Sequence, residues 1–545
     1  MGSANFALYA AGDAYSTEHK IMGRQSAGKA MVRGIARHWP TADLHAFGYD
    51  RKAGGALAKQ LASFGHTGAV RWRQGPGDPV MDRLGALYYP APISSELAHA
   101  RNARGPSSYS LFGVTHTLSS AGAMDQVSAL VMPPFKPWDA LICTSRAALT
   151  VVTRLQDEMR EWLSRETGAT RFNPIQLPVI PLGVDAPSFV RTPGGIASAR
   201  TSLGLANDEV AFLFAGRLSF HAKANPSALY QALEAAAGRA SQRLVCIEAG
   251  VFPNAGMARA FAQARAQLAP SVRFIEVDGA NEARFKSAWQ ASDVFVSLSD
   301  NIQETFGLTP LEAMAGGQPV LVSDWNGYKD TVRDGIDGYR IPVTLPPGGC
   351  GADLAMRHAV GRDTYDFFIG RVSMQTVVDV DTLADRIAGL ASDRDLRLAM
   401  GAAGADRART LFDWPVILDR YVDLAANLTT LRQASVSQTT EPWPMRPDPF
   451  VLFGDYPTRT MDDSWTVTAT VGDAALAALL DLEIARYVLD PEMLTAEAIG
   501  AVHARIVASG GARVGDLRRT GDLPARQVIS AVMWLAKFNA VRLHP

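Results

Sequence analysis

From Glu209 onward the chain repeats one unit: a short run of apolar residues, then a longer stretch with helical spacing. Five such runs follow one another, at Ala211–Gly216 (AFLFAG), Leu244–Gly250 (LVCIEAG), Val272–Val277 (VRFIEV), Asp293–Ser299 (DVFVSLS) and Pro319–Ser323 (PVLVS). Each is too short for a buried helix and reads as a strand buried on both faces. Helical patterns separate them, as at Pro226–Ala237 and Glu282–Gln290. Strands alternating with helices lead to a parallel sheet covered by helices, a doubly wound α/β domain. A fainter version precedes it. Phe6–Ala10, Leu44–Phe47, Leu111–Thr115 and Ala140–Thr144 read as strands, and a helix runs from about Arg24 to His38 and is closed by Pro40. The fold class expected is therefore α/β, with two Rossmann-like doubly wound domains and a small, mainly helical C-terminal domain.

A length of 545 residues suits three to four domains. The expected layout is a Rossmann-like domain over 1–190, a second over 191–415, a helix over 416–431 returning to the first, a Pro-rich linker over 432–464, and a helical, winged-helix-like domain over 465–545. The Pro- and Gly-rich Pro178–Gly195 segment marks the first boundary, and an insert from about Val343 to Arg371, with Tyr365-Asp-Phe-Phe, exceeds what the core needs. A net charge of −1 gives no global attraction to nucleic acid or anionic membrane. The three cysteines, Cys143, Cys246 and Cys350, form no C-x-x-C pair, and the start of the chain carries no basic head followed by an apolar run. The expectation is a protein of the reducing cytoplasm, without a membrane span.

The most informative stretch is Asp293–Gly338, DVFVSLSDNIQETFGLTPLEAMAGGQPVLVSDWNGYKDTVRDGIDG. Glu304 follows a strand, where open α/β sheets place their ligands. Thr309-Pro310 then reads as a helix start, with Thr309 as N-cap. The amides of Phe306, Gly307, Leu308 and Thr309 fall near that helix N-terminus, where free N–H groups and the helix dipole suit a phosphate. Gly307 is expected to let the backbone approach its ligand. Glu312 lies one turn into the helix and can accept hydrogen bonds from a ribose diol; alternatively, Thr309-x-x-Glu312 is a capping box that ties down the helix start. After the strand AFLFA come Gly216-Arg217-Leu218 and then Lys223. A guanidinium fork and a compact ammonium converging at a strand end suit a diphosphate, although two solvated loop cations would look the same in sequence.

Glu304-x7-Glu312, the Gly216–Lys223 run, Pro181–Asp185 (PLGVD) and His116 in GVTHTLSS together resemble the family 4 retaining glycosyltransferases, which have the GT-B fold. The order of elements from about 5 to 430 agrees. The resemblance implies a hexosyltransferase that moves a sugar from a nucleoside-diphosphate sugar to a saccharide, lipid-linked or protein acceptor. It implies no cofactor beyond the nucleotide-sugar substrate, with a UDP-sugar as first expectation, and no obligatory metal. Position by position, Arg217 and Lys223 would bind the donor diphosphate, and the amides of Phe306–Thr309 would hold the same phosphates. Glu304 would contact the transferred sugar, Glu312 the ribose, and His116 would face the sugar from the N-terminal domain. Gly23 is the best match to the family's Gly-rich loop after the first strand, and Asp330 stands where the family has Glu in its Gly-Gly-x-x-Glu loop.

Rival signals are weaker. Gly23–Ala30 misses the Ser or Thr of a phosphate-binding G-x4-G-K-[ST] loop and reads as the first turns of a helix. The histidines lack metal-ligand spacing. From 465 to 545 eight basic residues balance eight acidic ones, and the helix bearing Ile529, Val532, Trp534 and Leu535 is largely apolar. That favours a protein contact or self-association over DNA reading. A sugar-nucleotide sensor without transfer, or an epimerase or phosphorylase of the same fold, are the alternative functions.

Overall fold

The computed structural model describes residues 4–12, 14–15, 23–75, 78–435 and 440–545. It divides into two compact units, Met1–Trp443 and Pro444–Pro545.

The first unit holds two sheets. Strands β1 (Ala7–Tyr9), β2 (Leu44–Gly48), β3 (Val70–Gln74), β4 (Ala86–Tyr88), β5 (Ser110–Val114) and β6 (Ala140–Ile142) form one, in the order β3-β2-β1-β4-β5-β6. Strands β7 (Glu209–Ala215), β8 (Arg243–Gly250), β9 (Arg273–Asp278), β10 (Val294–Ser297), β11 (Val320–Ser323) and β12 (Gly338–Ile341) form the other, in the order β12-β11-β10-β7-β8-β9. All pairings in both are parallel. Both sheets therefore have the Rossmann order, in which the chain reverses direction of travel between the first and fourth strands and opens a crevice beyond their carboxyl ends. The architecture is the two-domain GT-B arrangement. β3, β4 and β12 come in addition to the strands read from sequence.

Alternation along β7 shows why the central runs are apolar throughout. Ala211 and Leu213 enter the core under the helix Leu308–Ala315, whereas Phe212 enters the core under the helices Ser227–Ala237 and Val380–Ser392. The first sheet is likewise covered on two faces, one of them by Ile417, Leu418, Tyr421 and Leu428 of the helix Trp414–Gln433.

The chain crosses between the halves twice, and the crossings bind each other. Val184 donates to Phe412 O at 2.8 Å, and Trp414 donates to Val184 O at 3.1 Å. Arg37, on the helix Gly23–His38, reaches Asp185 at 2.8 Å and Asp413 on the other crossing. The buried Trp414 side chain fills the junction so tightly that a Cβ at Gly34 would stand 2.3 Å from its Cβ and one at Gly183 2.4 Å from its ring.

Beyond β12, strands β13 (Val343–Thr344) and β14 (Val377–Val378) pair antiparallel, and the chain between them carries the helices Ala352–Ala359 and Tyr365–Ser373. The core of the second unit packs the helices Asp473–Leu480, Glu483–Arg486, Ala496–Ala508, Val514–Arg519 and Ala525–Lys537 with a three-stranded antiparallel sheet of order β16-β15-β17. Its strands are β15 (Thr466–Ala469), β16 (Ala512–Arg513) and β17 (Val541–His544). One sequence expectation needs correction here. Val532, Trp534 and Leu535 are buried in this unit's own core and Ile529 packs against it, so that helix face is already covered and offers no docking surface. Among the described residues, no helix is long and apolar enough to cross a membrane.

Replacing Gly183 by Ala drives a methyl into the Trp414 ring and should cost about 1–3 kcal/mol. Gly194→Ala, where nothing lies within 4 Å of the added Cβ, is the control. A urea midpoint lowered by the first and not the second is the expected result.

Candidate functional site

β7 and β10 are hydrogen-bonded neighbours at the reversal point of the second sheet. Their carboxyl ends therefore discharge two loops into the same crevice. The first turns at Gly216, whose φ is +151°, and carries Arg217 and Lys223, with Leu218 buried between them as an anchor. The second carries Gln303, Glu304 and Thr305 into the helix Leu308–Ala315. The two loops meet through charge. Lys223 Nζ lies 3.2 Å from Glu304 Oε2, and Arg217 Nη2 donates to Gln303 Oε1 at 3.2 Å.

Burial pulls the Glu304 carboxyl upward, but the Lys223 ammonium and the amides of Phe306 and Thr305 outweigh it and hold it below the ordinary range. Glu304 is thus a fixed carboxylate, and Lys223 a cation with one charge partner already in place. Glu312 is the opposite case. Burial alone pushes its carboxyl up to about 7, so near neutral pH it sits at its own titration point. Two carboxyls eight residues apart are driven in opposite directions by their surroundings.

The helix start differs from the sequence reading. Gly307, with φ +84°, is the N-cap residue; the helix begins at Leu308, no side chain caps it, and Thr309 lies within its first turn. The capping box that competed for Glu312 is therefore not formed. Packing by itself requires Gly307: a Cβ there would stand 2.0 Å from Tyr328 Cε1. The Tyr328 ring is buried and its hydroxyl lies 2.8 Å from Ser297 Oγ, so it sets the course of the loop. The Phe306 ring is buried in the core while its amide serves Glu304.

The first half reaches this loop directly. Thr305 Oγ1 donates to His116 O at 3.0 Å, and Ser145 Oγ donates to Thr305 O at 2.9 Å. His116 is thereby held against the loop that carries Glu304. Its ring Nε2 is 2.9 Å from Pro90 O, which ties the imidazole to the first half. Asp330 accepts from the Arg146 amide at 2.6 Å and acts as another contact between the halves. Gly23 opens its helix, but the loop before it at 16–22 lies outside the described residues, as do the surroundings of Gly23. Gln303, Thr305, Ser145 and Tyr328 had no sequence signal, because each is an ordinary polar or aromatic residue given its role by a distant partner. Among the described residues, no group of three or more His, Cys, Asp or Glu side chains is placed to hold a metal ion.

Residues 196–346 match the family model described as Glycosyl transferases group 1. Arg217, Lys223, Glu304, Phe306–Thr309 and Glu312 all fall inside that span, and His116 outside it. The chain is 36% identical over 187 residues to the D-inositol 3-phosphate glycosyltransferase of Actinosynnema mirum, a match covering 32% of this chain and 42% of that protein. It is 30% identical over 193 residues to the phosphatidyl-myo-inositol mannosyltransferase of Mycobacterium tuberculosis, covering 35% and 45%. The chain thus spans less than half the length of these curated relatives. Among solved structures it is similar to Anabaena Alr3699/HepE in complex with UDP, at 17% identity and a TM-score of 0.47, covering 77% of this chain and 99% of that one.

Gly307→Ala meets both a positive φ and the Tyr328 ring. It should cost about 2–4 kcal/mol, seen as a lower unfolding midpoint; an unchanged midpoint would show that the loop has another course available.

Proposed function

We propose that this chain is a family 4, retaining, metal-independent glycosyltransferase that moves a sugar from a nucleoside-diphosphate sugar to an acceptor. The observation that carries the reading is the Lys223–Glu304 pair beside Arg217 at the reversal point of the second sheet. A departing nucleoside diphosphate gathers negative charge, and two cations with the uncapped start of a helix offer preorganised compensation. Glu304, kept ionised, can accept hydrogen bonds from the hydroxyls of the transferred sugar and orient it. Glu312 would take the ribose diol, and His116, whose carbonyl accepts from Thr305, would face the sugar from the first half. Contact between the halves at Thr305 and His116 excludes water that would otherwise hydrolyse the donor. UDP-sugars are the first donors to try. The names of the curated relatives make inositol phosphates and phosphatidylinositols the first acceptors to screen, within a wider set of saccharide, lipid-linked and protein acceptors.

Calorimetric titration with UDP, GDP, ADP and dTDP tests the donor site. One diphosphate should bind, and Glu312→Ala should weaken it by about tenfold or more. Binding by none would remove the donor reading, and binding without turnover on any acceptor would make the protein a sensor.

The same titration carries a pH signature. Ionised Glu312 accepts from both ribose hydroxyls, whereas the protonated form accepts less and donates where no acceptor is required. Affinity should therefore rise between pH 6 and pH 8 as the carboxyl, at about 7, loses its proton. Glu312→Gln should remove that component and leave only the ionisation of the diphosphate itself.

A further inference from the structure

The insert between β13 and β14 is built onto the donor side of the site. Its helix Tyr365–Ser373 buries Ile369 and lays Gly370 against His221, where an added Cβ would come within 3.1 Å of the His221 Cβ. His221 belongs to the loop that carries Arg217 and Lys223, and its carbonyl accepts from Asn301 in the loop that carries Glu304. The first residue of the same helix reaches across to the other half. The Tyr365 hydroxyl lies 2.8 Å from Ser119 Oγ and 3.3 Å from Thr117 Oγ1, in the loop after β5 that carries His116. It also receives Gln303 Nε2 at 3.3 Å.

These bonds form a closed count. A phenol donates one hydrogen bond and accepts two, which matches three partners when the Gln303 amide and one of the two hydroxyls donate. Gln303 is oriented by the same logic. Its nitrogen faces Tyr365 and its oxygen accepts from Arg217 Nη2; a flipped amide would set two donors against each other at the Arg217 end. A continuous line of hydrogen bonds thus runs from the Arg217 guanidinium through Gln303 and Tyr365 to Ser119 on the opposite half.

We propose that Tyr365 is a positioning residue that couples contact between the two halves to the orientation of Arg217. It rests on the donor-site reading above for what Arg217 does, and on geometry alone for the tether itself. With the Ser119 end engaged, Gln303 is fixed and Arg217 is aimed; with it released, the Gln303 amide N–H loses its fixed acceptor and Arg217 its fixed direction. Sugar departure is thereby favoured in the closed arrangement, where water is excluded, and disfavoured in an open one, where the donor would be lost to hydrolysis.

Hydrogen–deuterium exchange on the full, ligand-free chain tests the tether without requiring activity. Tyr365→Phe keeps the ring and removes the hydroxyl. Exchange should rise about three- to tenfold in segments 115–120 and 301–306 alike. The Thr117→Val/Ser119→Ala double variant, altered only on the first half, should reproduce the rise at 301–306. A rise confined to the insert, or none, overturns the tether.

Kinetics with a donor and an acceptor then test its role. Tyr365→Phe should lower kcat by about tenfold while the nucleoside diphosphate Kd stays within about twofold. Equal changes in both, as a merely structural defect would give, overturn the coupling to Arg217. Failure of every nucleoside diphosphate to bind the unaltered chain would instead remove the donor reading, and the exchange experiment would still decide the tether.

Discussion

Everything in the first unit depends on how its two halves are joined, and that junction is one residue-tight contact. The chain passes from the first half to the second at Val184 and returns at Asp413, and the two passages hydrogen-bond to each other as a parallel bridge. Trp414 fills the angle between them, and Gly34 and Gly183 lack side chains because the indole occupies that space. Arg37 binds a carboxylate on each passage. Two adjacent, mutually bonded linkers resist shear and twist far better than one. The halves meet again where the loop after β5 touches the loop after β10. These contacts are polar: two hydroxyls, two carbonyls, an amide and the Asp330 carboxylate.

Much of the fold was legible because buried parallel strands announce themselves. β7, β8, β10 and β11 are dominated by apolar residues, since neighbours on both faces demand it, and the charges they carry are Glu209 and Arg243 at strand starts and the buried Glu248. β3 was missed for the complementary reason. As an edge strand it alternates Val70, Trp72 with Arg71, Arg73 and stays partly exposed, so it carries no continuous apolar run. β4 and β12 are short, and only their neighbours make them strands. The order of strands, which places the crevice between β7 and β10, is a property of long-range pairing that spacing along the chain does not encode.

The candidate site divides along the same line. Arg217, Lys223, Glu304 and Glu312 were legible because each stands at a strand end or a fixed offset into a helix, and local sequence specifies both. Thr309 as N-cap was a sound local inference overridden by packing. Tyr328 pins Gly307 in a left-handed conformation, and the helix starts one residue before Thr309. Gln303, Thr305, Ser145 and Tyr365 were not legible at all. Tyr365 meets its partners at Ser119 and Gln303 across separations of 246 and 62 residues, and a tyrosine in a polar insert has no signature of such a role.

The antiparallel bridge that closes the insert has a consequence for how such chains can change over time. Val343 faces Val378 and Thr344 faces Val377, so the excursion over residues 345–376 leaves and rejoins the fold at one spot. Shortening, lengthening or exchanging it would leave the ends of β12 and of the helix Val380–Ser392 where they are. The segment behaves as a cassette: descendants of one scaffold could trade it as a unit, altering what guards the crevice while inheriting the sheets beneath unchanged.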